Sequence, residues 1–215
     1  SVQRRLIARA LSEAPISLLR PGLLGAVKLL LAVPAEGDTD LATAVRGDCE
    51  SLGAACELLE LDDTASAEEQ EQATESAVAA SLESLGAADA LIVDAGAFFA
   101  DGGPERLLSS MQASWSATRA FVAGASLAQE RPGRVIYLAP PPQQVPGGHA
   151  EAALAGLENL ARTLSIEWAR RAITTVTLAP ARDTPTEQIA AICAYLLSPA
   201  GEYFSGCLLD LRGPG

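Results

Sequence analysis

Histidine, aromatic residues and positive charge are all scarce in this chain of 215 residues. His149 is the only imidazole, and Cys49, Cys56, Cys193 and Cys207 show no CxxC spacing. A metal site is therefore not expected. Fifteen Lys and Arg stand against 27 Asp and Glu, a formal charge of −12 spread along the chain. No basic face is visible that would neutralise phosphates, which argues against a nucleic-acid partner. Apolar runs are too short to span a bilayer and no charged–apolar–small leader opens the sequence, so no membrane role is expected. The four thiols lack a disulfide framework and are read as reduced, mostly buried, in a cytoplasmic protein. Aromatics make up only 4% of the chain, and Ala, Leu and Gly dominate, which suits tightly packed helices on a parallel sheet.

What is present is globular in character: 49% hydrophobic and 20% charged residues, within the length of one α/β domain. Short apolar runs alternate with longer helical patterns, which predicts βα units and a parallel sheet. Strands are expected at 27–33, 55–61, 90–95, 134–139, 173–179 and 206–211, with helices near 39–52, 66–86, 104–130, 150–171 and 186–197. Asp38 or Asp40 is placed to cap the first helix, Ser66 and Glu69 form a capping-box pattern, and Thr184-Pro185 precedes the last helix as cap and first-turn proline. Leu154, Leu157, Leu160, Leu164 and Trp168 recur at helical spacing and predict a broad apolar stripe. Residues 1–26 read as an extension ahead of a domain at 27–215. Within that extension, Arg4 to Leu11 has an amphipathic pattern, expected to pack on the domain or a partner rather than on a membrane.

Residues 133–168 read GRVIYLAPPPQQVPGGHAEAALAGLENLARTLSIEW. This segment resembles the catalytic stretch of the short-chain dehydrogenase/reductase family, in which GR(I/V)V leads to a serine, then Y-x-x-x-K, then A-G-(L/V)-x-G-L-x-R-x-L-A-x-E. Gly133-Arg134-Val135-Ile136 and Ala155-Gly156-Leu157, with Leu160, Arg162, Leu164 and Glu167, hold that frame. The likeness extends over roughly residues 40–212. Asp62 matches the aspartate that in the family contacts the adenine edge of the cofactor, and Val93-Asp94-Ala95-Gly96 stands where the family has NNAG. Thr177–Ala181 and Ser198–Asp210 resemble its later motifs. The resemblance implies a three-layer, doubly wound Rossmann-like α/β fold with a parallel sheet of about six strands. Only one strand precedes the counterpart of the family's third. One βα unit is therefore expected to be missing, leaving a flavodoxin-like order, 2-1-3-4-5-6.

The departures from the family pattern fall on chemistry. In place of the glycine-rich TGxxxGxG turn that lets backbone N–H groups approach a pyrophosphate, the first strand runs into Pro34-Ala35-Glu36-Gly37-Asp38-Thr39-Asp40. A proline removes one N–H and three carboxylates would face a dianion. Neither a dinucleotide in the usual mode nor a flavin mononucleotide suits that turn. The serine, tyrosine and lysine positions carry Pro140, Ala150 and Leu154, and Ser116 stands near the position of the family's asparagine. Neither alanine nor leucine has a titratable proton, so general acid–base chemistry is not expected there. His149 could replace the acid or simply begin the helix as a polar residue; Tyr137 is read as a packing residue. The long helical insert that covers substrate in the family is reduced to the five residues 181–185.

The function implied is a catalytically inactive subunit, with no bound cofactor and no catalytic residues. Asp62 and Gly96 are the only weak cofactor candidates. Association is expected with itself, as dimer or tetramer, or with an active reductase, through helix 104–130, helix 150–171 with its apolar stripe ending at Trp168, and the C-terminal strand. The likeness extends to the degenerate N-terminal domain that precedes the active domain in some large ketoacyl-reductase-like proteins. The alternatives are a divergent NAD(P)-dependent oxidoreductase acting on a ketone or acyl thioester, and a small-ligand sensor using the crevice at the strand C-termini.

Overall fold

The structure is a computed structural model that describes residues 19–35, 39–62, 67–100, 102–142 and 149–213. Six strands form one wholly parallel sheet: β1 (Lys28–Pro34), β2 (Ala55–Leu61), β3 (Ala90–Val93), β4 (Gly133–Leu138), β5 (Ile173–Ala179) and β6 (Cys207–Asp210). Their spatial order is β2-β1-β3-β4-β5-β6, the flavodoxin-like order expected from the missing βα unit. The switch point, where the direction of winding reverses, lies between β1 and β3, which pair from Leu29↔Ala90 to Ala32↔Val93.

Helices cover both faces: α1 (Asp40–Ser51), α2 (Ala67–Leu85), a short α3 (Ala95–Phe99), α4 (Pro104–Phe121), α5 (Ala150–Glu167) and α6 (Thr186–Leu197). Alternate residues of a strand point to opposite faces, so the near-continuous apolar run of β1 serves two cores. Leu29, Leu31 and Val33 pack with Ala42, Val45 and Cys49 of α1 and Ile189, Cys193 and Leu197 of α6. Leu30 and Ala32 pack on the other side with Val78 of α2, Ala113, Ala117 and Phe121 of α4, and Leu154 and Leu157 of α5. This double burial is the usual condition of a parallel sheet.

Hydroxyl groups knit the second layer together. Thr175 and Thr177 of β5 donate to the carbonyls of Ala161 and Leu157 of α5, at 2.6 and 3.1 Å. On α4, Thr118 donates to Ser114 O at 2.7 Å and lies 2.8 Å from the hydroxyl of Tyr137 on β4. Its single proton being committed to Ser114, Thr118 accepts from the tyrosine. Tyr137 is fully buried, and burial pushes its phenol far up, against the weaker effect of Thr118. It is a packing residue, as expected.

Several boundaries differ from the sequence reading. The third strand ends at Val93, because Asp94 caps α3, a helix the sequence reading did not contain. The helix expected over 104–130 is α4 followed by a π-helical turn, Val122–Leu127, and that over 150–171 is α5 followed by a 3₁₀ turn, Ala169–Arg171. Thr39, not Asp40, caps α1, and Asp38 lies outside the described residues, as does Ser66. Pro185 occupies the cap position of α6, while Thr184 closes the turn before it by accepting from Ala181 N at 2.9 Å. The amphipathic pattern at 4–11 also lies outside the described residues.

Candidate functional site

In open parallel sheets ligands bind beyond the carboxyl ends of the strands, at the switch point. Here that place is organised around Asp94. The residue follows β3, its N–H donates to Ala32 O of β1 at 3.0 Å, and its side chain turns back to cap α3: Oδ1 accepts from Ala97 N at 3.0 Å. Oδ2 accepts from the Thr39 hydroxyl at 3.0 Å, and Thr39 Oγ1 in turn accepts from Ala42 N at 3.0 Å, capping α1. One carboxyl group thus serves two helix N-termini, directly and through a threonine. It is buried, and burial pushes its pKa up while the Ala97 N–H and the Thr39 hydroxyl hold it down. Helix N-termini present unpaired N–H groups; these two share one carboxyl group supplied by the chain.

The next stretch of the carboxyl edge is apolar. Ala150 and Ala153 of α5 are buried with Phe99 of α3, and Leu107 packs against them. Leu154 belongs to the main core of that layer, and Pro140 is buried at the end of β4. Gly96 passes close to it: a Cβ there would lie 3.4 Å from Pro140 Cα. The shortened connection between β5 and α6 is fastened over this edge by Arg182, which donates to Pro142 O at 2.9 Å.

The remaining sequence-derived candidates do not converge on one point. Asp62 is exposed beyond β2, its carbonyl accepting from Gln70 Nε2 at 3.1 Å. Ser116 is buried in α4 with no hydrogen-bond partner for its hydroxyl. The α4 residue that reaches the end of β3 is Ser110, whose hydroxyl donates to Ala95 O at 2.8 Å. His149 precedes α5 without capping it through its side chain. The C-terminal strand is tied to α5 at this edge, Arg212 pairing with Asp210 at 2.7 Å and with Glu151 at 3.0 Å. Sequence reading missed Asp94 and Thr39 as a pair, since 55 residues separate them. Among the described residues, no cluster of metal-ligating side chains occurs, and no helix is long and apolar enough to cross a membrane.

The helices named as association surfaces carry outward apolar side chains. Leu108 and Trp115, seven residues apart on α4, are 69% and 40% exposed, and Ile166 of α5 is 75% exposed. The predicted stripe on α5 itself faces inward: Leu154, Leu157 and Leu164 are buried, and Leu160 and Trp168 pack against the same core.

No protein-family model matches the chain, and no curated protein matches it in sequence. Solved structures do match in shape. A short-chain dehydrogenase from Mycobacterium smegmatis superposes with a TM-score of 0.75 at 20% identity, covering 95% of this chain and 99% of the other. A citronellol catabolism dehydrogenase of Pseudomonas aeruginosa gives 0.72 at 18% identity, over 91% and 97%. A hydroxysteroid dehydrogenase from Escherichia coli gives 0.72 at 15%, over 90% and 98%. The chain has the Rossmann-like fold of these oxidoreductases along nearly its whole length.

Proposed function

We propose that the chain is a catalytically silent relative of the short-chain dehydrogenases/reductases that acts by association, with a second copy of itself or with an active reductase. The observation that carries this reading is the carboxyl edge of the sheet. Where the family pattern places serine, tyrosine and lysine stand Pro140, Ala150 and Leu154, all buried in apolar surroundings. Where a pyrophosphate would meet the first helix, the Asp94 carboxyl group already holds Thr39. The residues present do not fit a dinucleotide bound in the family's usual mode: α1 offers no glycine turn among its described residues, and its cap is engaged by an acid. No proton can be moved by Ala150 or Leu154. Leu108 and Trp115 on α4 and Ile166 on α5 support the association half of the reading, since exposed large apolar side chains on adjacent helices favour a partner.

Two measurements on the purified chain test it. Titration with NADH and NADPH, followed by nicotinamide fluorescence, is expected to give no saturable change up to about millimolar concentration. Micromolar binding would instead support the divergent NAD(P)-dependent oxidoreductase. Sedimentation of the chain alone, and mixed with an intact reductase of the same source, is expected to show a dimer or a mixed complex lost in Leu108→Glu/Trp115→Glu. A monomer that ignores the reductase would sink the association role.

A further inference from the structure

The opposite, amino-terminal edge of the sheet is open. A cavity of about 850 Å³ runs beneath the starts of β1, β4 and β5, with Leu23, Val27, Ile173 and Leu197 among its walls. A second, of about 390 Å³, adjoins it and shares Pro132 and Ala172. The larger lies within the range of about 300–1,000 Å³ typical of small-molecule sites.

Charge in this trough runs against the rest of the chain. Arg131, Arg170 and Arg171 line the smaller cavity and Arg134 the larger, against the carboxylates of Asp89, Glu130 and Glu202. Four arginines thus meet three acids here in a chain of net charge −12. Two of the acids are already engaged: Asp89 by Arg131 and the Lys28 N–H, and Glu202 by Arg134 at 2.9 Å. Arg134 also donates to Leu197 O at 2.5 Å. The guanidinium groups of Arg170 and Arg171 form no ion pair or hydrogen bond among the described residues, Arg171 bonding only through its backbone N–H to Trp168 O at 2.8 Å. Ser126 lines the same small cavity, and its hydroxyl is buried without a hydrogen-bond partner. The chain enters this region through left-handed residues on both sides, Glu130 (φ 52°) and Ala172 (φ 54°). These turns bring Arg131 and Arg170–Arg171 together from segments about 40 residues apart in sequence.

An apolar channel that ends at Arg170 and Arg171, whose guanidinium groups have no partner among the described residues, beside the Asp89-paired Arg131, is complementary to one kind of molecule. We propose that this trough binds an anionic amphiphile, one alkyl chain with a carboxylate or phosphate head, its chain along Leu23, Val27, Ile173 and Leu197 and its head between Arg131, Arg170 and Arg171. Guanidinium forks suit both oxyanions, and burying the chain supplies the apolar contribution.

Calorimetric titration of the full chain with dodecanoate, dodecyl phosphate and dodecanol tests the proposal. One saturable site is expected for at least one of the two anions, the preferred anion identifying the head group, and at least tenfold weaker binding for the uncharged alcohol. Arg170→Ala/Arg171→Ala, both exposed, should reduce the anion to the affinity of dodecanol. Ser205→Trp, which places an indole in the larger cavity from an exposed position, should abolish binding of all three. Circular dichroism verifies that both variants fold. Absence of a saturable anion site, equal affinity for dodecanol, or anion binding that survives either variant would each overturn the assignment.

Discussion

The two edges of the sheet have opposite characters. At the carboxyl edge, where ligands of open α/β sheets are normally held, the described residues close on one another: Asp94 with Thr39, Phe99 with Ala150 and Ala153, Arg182 with Pro142. At the amino edge, cavities remain and four arginines gather, of which Arg131 and Arg134 are ion-paired and Arg170 and Arg171 have no side-chain partner among the described residues. Among the described residues, the sheet order and both helical layers are kept around a carboxyl edge that is packed at Asp94, Phe99 and Arg182. The strands are positioned by the two cores behind them, and those cores do not depend on which edge is occupied.

The largest expected effect tests whether the carboxyl edge is truly packed. Phe99 is 1% exposed and is the largest side chain of the cluster with Ala150 and Ala153. Phe99→Ala should lose about 3–5 kcal/mol of stability, the usual result of opening a buried aromatic site, measured by urea unfolding with an unchanged slope. A loss below about 1 kcal/mol would mean that water already occupies this edge, and the contrast between the two ends would fail.

A middle-sized effect belongs to Asp94. Removing its side chain with Asp94→Ala leaves the Thr39 hydroxyl without its acceptor and Ala97 N–H with only the backbone carbonyl of residue 94, at 3.1 Å, and should destabilise by about 0.5–2 kcal/mol, the range for a lost cap. Asp94→Asn keeps an acceptor for Ala97 and an amide for Thr39, and removes only the buried charge. The sign of its pH dependence follows from the raised pKa. The folded state holds the Asp94 proton more tightly than the unfolded state does. Stability from this group is thus fully present below the ordinary carboxylate value of 3.8 and is lost as the pH rises through the higher folded value. Relative to the parent, the asparagine variant should be equally stable in acid and more stable at neutral pH, read from melting curves across that span. Asparagine is also the residue of the family pattern at this position. A variant less stable at neutral pH would show that the charge itself is favourable beside two helix N-termini.

Much of this could be anticipated from residues close together in sequence, and what could not is long-range. The strand order followed from the missing βα unit, and five of the six expected strands lie within one residue of the observed ends. The sixth was misplaced because Ala90-Leu91-Ile92-Val93-Asp94-Ala95 is a continuous run whose last two residues look like strand. Only the hydrogen bonds of Asp94 reveal a helix start there. The cap of α1 was ambiguous for a similar reason: Asp38, Thr39 and Asp40 are all good caps by type, and the choice of Thr39 involves a partner 55 residues away. The α5 stripe is at the expected positions but not on the expected surface: expected to face a partner, it instead packs on this chain's own sheet, because periodicity marks an apolar face without saying what covers it. No local pattern announced the amino-edge trough, whose arginines come from two separate turns.

The smallest expected effect concerns those arginines. Arg170 and Arg171 close the last turn after α5, where positive charge commonly offsets the negative end of a helix dipole at about 0.3–1 kcal/mol per residue. If that were their whole role, Arg170→Ala/Arg171→Ala should lose about 1 kcal/mol or more in low salt, and the loss should shrink as salt screens the dipole. If they are instead a head-group site, Arg170 and Arg171 stand beside one another with mutual repulsion that only Glu130 of the same cavity offsets, since the nearby Arg131 is paired with Asp89. Removing both should then change stability by less than about 0.5 kcal/mol, or raise it slightly at low salt. The salt dependence carries the decision, because the two roles predict opposite signs for it. Urea unfolding of the two chains at low and physiological ionic strength therefore separates a helix that needs its arginines from an edge that holds them ready for an anion.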